Sequence, residues 1–196
     1  MKIRITPGAV LLFSAMLLSR DPLFPATVIA AAIHECGHLL AAKLLGIRLR
    51  LLELDVPGAR ILPQGALPSY RAEVLLAAAG PAASLLLAAL LFPFSNLFLR
   101  ALLASTLSLG LFNLLPVCGF DGWRVLGGTL TPLLEEARAA RVLLVCSYLS
   151  LFALFCFSAT LLLRHGESVT LTVLSASLFA RTFLGEERHG DRRKIN

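Results

Sequence analysis

Charge is scarce in this chain. Of its 196 residues only 15% are Asp, Glu, Lys or Arg, against about 25% in an ordinary soluble domain. Aspartate occurs only at positions 21, 55, 121 and 191, and tryptophan only at 123. Hydrophobic residues reach 57%, too much apolar surface for a disordered chain to leave in water. The net charge of +6 would suit a nucleic-acid binder if the basic side chains shared one solvated face. Here long stretches carry no charge at all, so no nucleic-acid partner is expected. Cysteine is also sparse: Cys36, Cys118, Cys146 and Cys156 lie in or beside apolar segments without framework spacing, and imply no disulfide. No long repeat or low-complexity segment occurs, and the length suits one domain. What remains is an integral membrane protein with several spans.

A helix needs about 20 mostly apolar residues to cross the hydrocarbon core. Six segments qualify or nearly so: Gly8–Ser19, Pro22–Leu45, Val74–Phe92, Asn96–Leu115, Val142–Leu163 and Ser168–Phe183. The first is short and, behind Lys2 and Arg4, has the look of a signal peptide. No small-x-small cleavage site follows Ser19, so it is read as a short first span. With six spans, only Arg20, Arg100 and Arg164 fall on one side, and the other 15 of the 18 basic residues fall on the other. By the positive-inside rule both termini are then cytoplasmic, and the basic charge meets anionic lipid head groups. The expected architecture is an all-α polytopic membrane protein of about six transmembrane helices. Residues 1–184 form one integral membrane domain and residues 185–196 a basic cytoplasmic tail.

Ionisable groups at membrane depth are costly and mark functional sites. The second segment contains His34-Glu35-Cys36-Gly37-His38, the pattern H-E-x-x-H. At this composition such a pattern arises by chance roughly 0.003 times. On a helix, residues four apart are about 40° apart in projection, so both imidazoles can grip one cation. Glu35 is adjacent and suits a general base acting on water beside that cation, whereas Cys36 points nearly the opposite way. Zinc is the expected metal, one per chain, because imidazole suits it and no redox role is needed.

A catalytic zinc site requires a third protein ligand. His165 falls across the membrane and His189 in the tail. Asp121 stands out in Asn113-Leu114-Leu115-Pro116-Val117-Cys118-Gly119-Phe120-Asp121-Gly122. Pro116 stops the fourth span, and irregular backbone at depth is tolerated where it is buried or lines a wet cavity. Glu135 and Glu136 are the competing third ligands, although Glu135-Glu136-Ala137-Arg138 reads equally well as a solvated helix with local ion pairs. A non-catalytic metal-binding scaffold is a further alternative; it would keep the histidines without needing Glu35.

These residues resemble the site-2 protease family of intramembrane zinc metalloproteases. Its hallmarks are H-E-x-x-H in one membrane helix and N-x-x-P-x-x-x-x-D-G in a later one, and both occur here in order and with full spacing. Gly80-Pro81-Ala82-Ala83-Ser84 is similar to the family's G-P-x-x-N. The resemblance implies that His34, His38 and Asp121 hold zinc and that Glu35 activates water. It also implies that Asn113, Pro116, Gly80 and Ser84 shape the substrate cavity, and that a membrane-associated strand segment lies near 47–70. The implied substrate is a membrane-associated or transmembrane protein cleaved near the cytoplasmic face of a bacterial cell membrane, with an inhibitory or regulatory membrane partner to be looked for. The short form is similar to the sporulation branch that processes a sigma-factor precursor. Ser84 in place of Asn, Gly119 in place of a second Pro and Trp123 in place of a second Gly depart from the pattern.

Overall fold

The computed structural model describes residues 2–5, 10, 14, 24–55, 58–65 and 68–165. In chain order these form strand β1 (Lys2–Ile5), helix α1 (Phe24–Leu44), strands β2 (Leu49–Asp55) and β3 (Gly58–Pro63), then helices α2 (Tyr70–Leu91), α3 (Leu97–Asn113), α4 (Asp121–Leu130) and α5 (Glu136–His165).

Local chemistry sets the boundaries. At the end of α1, Gly46 takes a left-handed φ of 66°. The Ile47 N–H then reaches Ala42 O at 2.8 Å and the Gly46 N–H reaches Lys43 O at 3.2 Å, the paired closure of a Schellman motif. Ser69 caps α2 by accepting from Ala72 N–H at 3.1 Å, and Asn96 caps α3 by accepting from Phe98 N–H at 2.9 Å. Each cap satisfies a main-chain donor that a helix start leaves orphaned.

Among the described residues, three helices are long and apolar enough to cross a membrane: α1, α2 and α5. Helix α3 is apolar but has 17 residues, about 26 Å at the helical rise against a hydrocarbon core of about 30 Å. It stops short of the expected Leu115 because Pro116, which cannot donate into a helical ladder, lies just beyond. The expected first and sixth spans, Gly8–Ser19 and Ser168–Phe183, lie outside the described residues. The strand segment expected near 47–70 holds β2 and β3, paired antiparallel with Glu53 opposite Arg60. Lys2 and Arg4 are more than charges flanking an apolar segment. Strand β1 adds to β2 in parallel, Lys2 opposite Leu51, giving a three-stranded sheet in the order β1-β2-β3.

Helix α2 is the hub, packing against α1, α3 and α4. Its approach to α1 is very close: a Cβ on Gly37 would sit 2.5 Å from Ala79 O and 2.8 Å from the Ala83 Cβ. Small residues share the interior with a few larger ones such as Leu76 and Leu151, and many large apolar side chains lie outside. The buried positions include Ala26, Ala30, Ala77, Ala88, Ser84 and Thr106, while Leu40, Leu86, Leu90, Leu149 and Phe152 are exposed. Small residues bring the backbones together and large apolar ones face outward, as helices packed within lipid require.

Candidate metal centre

The site is built where α1 and α2 run antiparallel. His34 and His38, 3% and 6% exposed, present both imidazoles to one face of α2, with ring centroids 4.9 Å apart and nearly perpendicular. Each ring is held from behind. His38 Nδ1 donates to the main-chain carbonyl of Leu76 at 2.8 Å. His34 Nδ1 lies 3.0 Å from the hydroxyl of Ser84. Between those two supports stands Gly80, and a Cβ there would overlap His38 Nε2 and lie 2.7 Å from His34 Nε2. The rings occupy space that only glycine leaves open.

Asp121 arrives from the other side as the first residue of α4. The chain leaving α3 is tied down before it gets there. Val117 is fully buried against Leu151 of α5, the Cys118 N–H donates to Ser147 Oγ at 3.4 Å, and the Phe120 N–H donates to Val117 O at 2.9 Å. Gly119 turns the chain with a φ of 99°, which other residues rarely adopt. Gly122 must also lack a side chain, since a Cβ there would overlap the Leu114 carbonyl. Helix α4 then lies against α2, with Arg124 Nε 3.9 Å from Glu73 Oε1.

The outcome is three donor atoms at one point. Asp121 Oδ2 is 3.1 Å from His34 Nε2 and 3.2 Å from His38 Nε2, and the two Nε2 atoms are 3.2 Å apart. A carbonyl only accepts, so Leu76 O fixes the proton of a neutral His38 on Nδ1 and leaves a lone pair on Nε2. Lone pairs converging on a carboxylate repel unless a cation or a shared proton sits among them. Zinc holds nitrogen and oxygen ligands at about 2.0–2.2 Å, so two corners of its tetrahedron lie about 3.3–3.5 Å apart. The three separations here are close to that edge. Glu35 completes the picture: its Oε2 is buried, and no described group hydrogen-bonds it. A buried carboxylate oxygen without a partner is costly to maintain and fits one reserved for a water or a substrate. The residues present therefore suit a divalent zinc ion.

The expected ligands His34, His38 and Asp121 are thus brought together, with Glu35 beside His34 in sequence. Gly80 and Ser84 lie directly against the imidazoles. Asn113 is half-buried at the end of α3, and its Nδ2 donates to Leu109 O at 3.0 Å on its own helix. Cys36 is exposed. Glu135 is not part of the cluster; it is solvent-exposed and pairs with Arg138 at 3.5 Å. The Leu76 carbonyl is a site group that sequence reading missed, because every residue has a carbonyl and nothing in the side-chain pattern singles one out.

An apolar helical bundle that brings two histidines and an aspartate close enough to hold a metal ion, beside a glutamate with a buried oxygen that no described group hydrogen-bonds, is the kind of site a membrane metallohydrolase needs. The comparisons are in accord. The family model described as "Peptidase M50B-like" matches residues 8–120, more than half of the chain, and the chain belongs to that family of membrane metallopeptidases, the site-2 proteases. The matched span ends one residue before Asp121, so the third donor is placed by the structure rather than by the match. Among solved structures, the site-2 protease from Methanocaldococcus jannaschii is similar, with a TM-score of 0.62 at 21% identity, covering 93% of this chain and 89% of that one. No curated protein matches.

Proposed function

We propose that the protein is a zinc-dependent intramembrane endopeptidase that cleaves a membrane-associated or transmembrane protein close to the cytoplasmic face. The observation that carries this reading is the meeting of His34, His38 and Asp121 within 3.2 Å next to Glu35, whose buried Oε2 no described group hydrogen-bonds. His34 and His38, each braced at Nδ1, and Asp121, delivered by the α4 start, would hold one zinc per chain. When bound, zinc supplies Lewis-acid polarisation of a peptide carbonyl and acidifies water. Glu35 accepts the proton of the attacking water and passes it to the leaving amine. A helical substrate exposes no free carbonyl, so it must unwind first. Strand β3 is an edge of the sheet and touches α1, which suits it to receive an unwound segment by edge pairing. The charge distribution supports cytoplasmic termini and cleavage from that side. The likeness to the sporulation branch puts a membrane-tethered sigma-factor precursor first among substrates.

The ligand set is tested by Asp121→Ala against Glu135→Ala, with zinc measured per chain by mass spectrometry. Asp121→Ala is expected to bring zinc below about a tenth of an ion per chain, since two imidazoles alone do not make a closed or a catalytic site. Glu135→Ala is expected to stay at one. The opposite pattern would assign the third ligand to Glu135 and overturn the proposed geometry.

A further inference from the structure

We infer that Ser84 is a positioning residue for the His34 imidazole, one of three successive supports along a single face of α2: the Leu76 carbonyl, the bare Cα of Gly80 and the Ser84 hydroxyl. The inference rests on the reading of His34 as a zinc ligand. Residues 76, 80 and 84 follow at four-residue intervals and so share one face of their helix. Across from them, antiparallel, stand His38 and His34, also four apart. The lower ring is pinned by Leu76 O at 2.8 Å, the upper by Ser84 Oγ at 3.0 Å, and Gly80 lies under both.

Ser84 is itself held. It is wholly buried, and across from it α3 carries Gly110, where even a Cβ would come within 3.1 Å of the Ser84 Cβ. A shared binding role for Nε2 requires each Nδ1 to keep its proton, which the Ser84 oxygen accepts. Take that oxygen away and a buried N–H loses its partner, while the ring loses its rotational stop. Groups that orient a metal-binding histidine in this way are each worth about 10–100-fold in metal affinity. The two supports differ in one respect. The acceptor for His38 is main chain, beyond the reach of side-chain substitution, whereas the acceptor for His34 is a side chain. Ser84 is therefore the position at which sequence can tune the grip of the site on its metal without changing a ligand.

The test uses the full-length protein in detergent. Zinc affinity is measured by competition with a chromophoric chelator, and the visible absorption of the cobalt(II)-substituted protein reports ligand geometry. S84A is expected to bind zinc about 10–100-fold more weakly and to shift the cobalt bands. S84T, which keeps the hydroxyl, restores most of the affinity, and S158A, at a buried serine of α5, changes neither. The metal-free thermal midpoint of S84A is measured alongside, because the unpartnered His34 N–H costs stability that the better helix propensity of alanine only partly offsets. Wild-type affinity and an unchanged cobalt spectrum in S84A would overturn the inference, as would an equal loss in S158A. If S84A does not fold, S84T against S84V makes the same comparison at constant shape, and equal affinities overturn it. Failure of the wild-type chain to bind zinc would instead sink the functional reading beneath it.

Discussion

Replacing Glu35 with glutamine is expected to slow cleavage by at least about 10²–10⁴-fold, the usual worth of a positioned proton-transfer group, while zinc stays at one per chain. The substitution keeps the shape of the side chain and removes its ability to take a proton. Glu35 is not one of the three converging donors, so their arrangement around Asp121 Oδ2 is undisturbed. The two halves of the result discriminate between classes of protein. A metal-carrying scaffold would be indifferent to the change, whereas a hydrolase should lose turnover and keep its metal. The measurement pairs cleavage of a purified transmembrane substrate in proteoliposomes with metal analysis of the same sample. A Glu35→Gln protein that cleaves at the wild-type rate would show that another group moves the proton.

The second large effect is expected from one added methyl group. In Gly80→Ala the new Cβ would lie 2.7 Å from His34 Nε2 and overlap His38 Nε2, closer than real carbon atoms approach, so at least one imidazole must rotate away. Rotation breaks the bond to Leu76 O or to Ser84 Oγ and removes a lone pair from the cluster. Zinc affinity is expected to fall by more than about 100-fold, beyond the loss assigned to one orienting group, and cleavage should disappear with it. Stability responds less than metal binding. Alanine is favoured over glycine inside a helix by about 1 kcal/mol, but the displaced imidazole gives up a buried hydrogen bond at a cost of about 1–3 kcal/mol, so the metal-free variant should melt somewhat lower than the metal-free parent. Gly127→Ala is the control, because its Cβ would meet Leu143 Cδ1 at 3.5 Å, an ordinary contact. Retention of wild-type zinc by Gly80→Ala would place the histidines elsewhere.

Much of the site was legible because it is written in side chains at fixed spacing. The four-residue interval of His34 and His38 holds on any helix, and membrane depth made their presence hard to attribute to packing. Asp121 was legible through Pro116 and the glycines around it, which mark irregular chain where a span should still be running. The helices α1, α2, α3 and α5 followed from apolar run length, to within a few residues at most ends, although α3 falls short of the length of a span. Other features had no such signal. Helix α4 has only a weak local signal, because Gly122, Gly127 and Gly128 depress helix propensity. The structure shows why Gly122 and Gly128 are there: added Cβ atoms would strike the Leu114 carbonyl and the Val74 side chain, 2.8 Å away in the latter case. Strand β1 is four residues long and pairs with a segment nearly fifty positions away, which no local periodicity can announce. Ser84 was legible as a match to a motif position, but its hydrogen bond to His34 depends on how α1 and α2 are registered.

The predominance of small residues in the interior also governs how this protein tolerates change. In a water-soluble domain, trading alanine for leucine is mild at the surface, and trimming leucine to alanine is harmful in the core. Here the large residues face lipid, where Leu86, Leu90 or Phe152 can be exchanged for other apolar side chains of any shape at little cost. Ala26, Ala30 and Ala77 are buried among the packed helices, and there a gain of a few carbon atoms forces helices apart. The geometry of the candidate site depends on that spacing, since the histidines belong to one helix and their supports to the next. Natural variation in this chain should therefore be wide among bulky residues and narrow among the smallest ones, so that its least conspicuous amino acids are the ones under the tightest constraint.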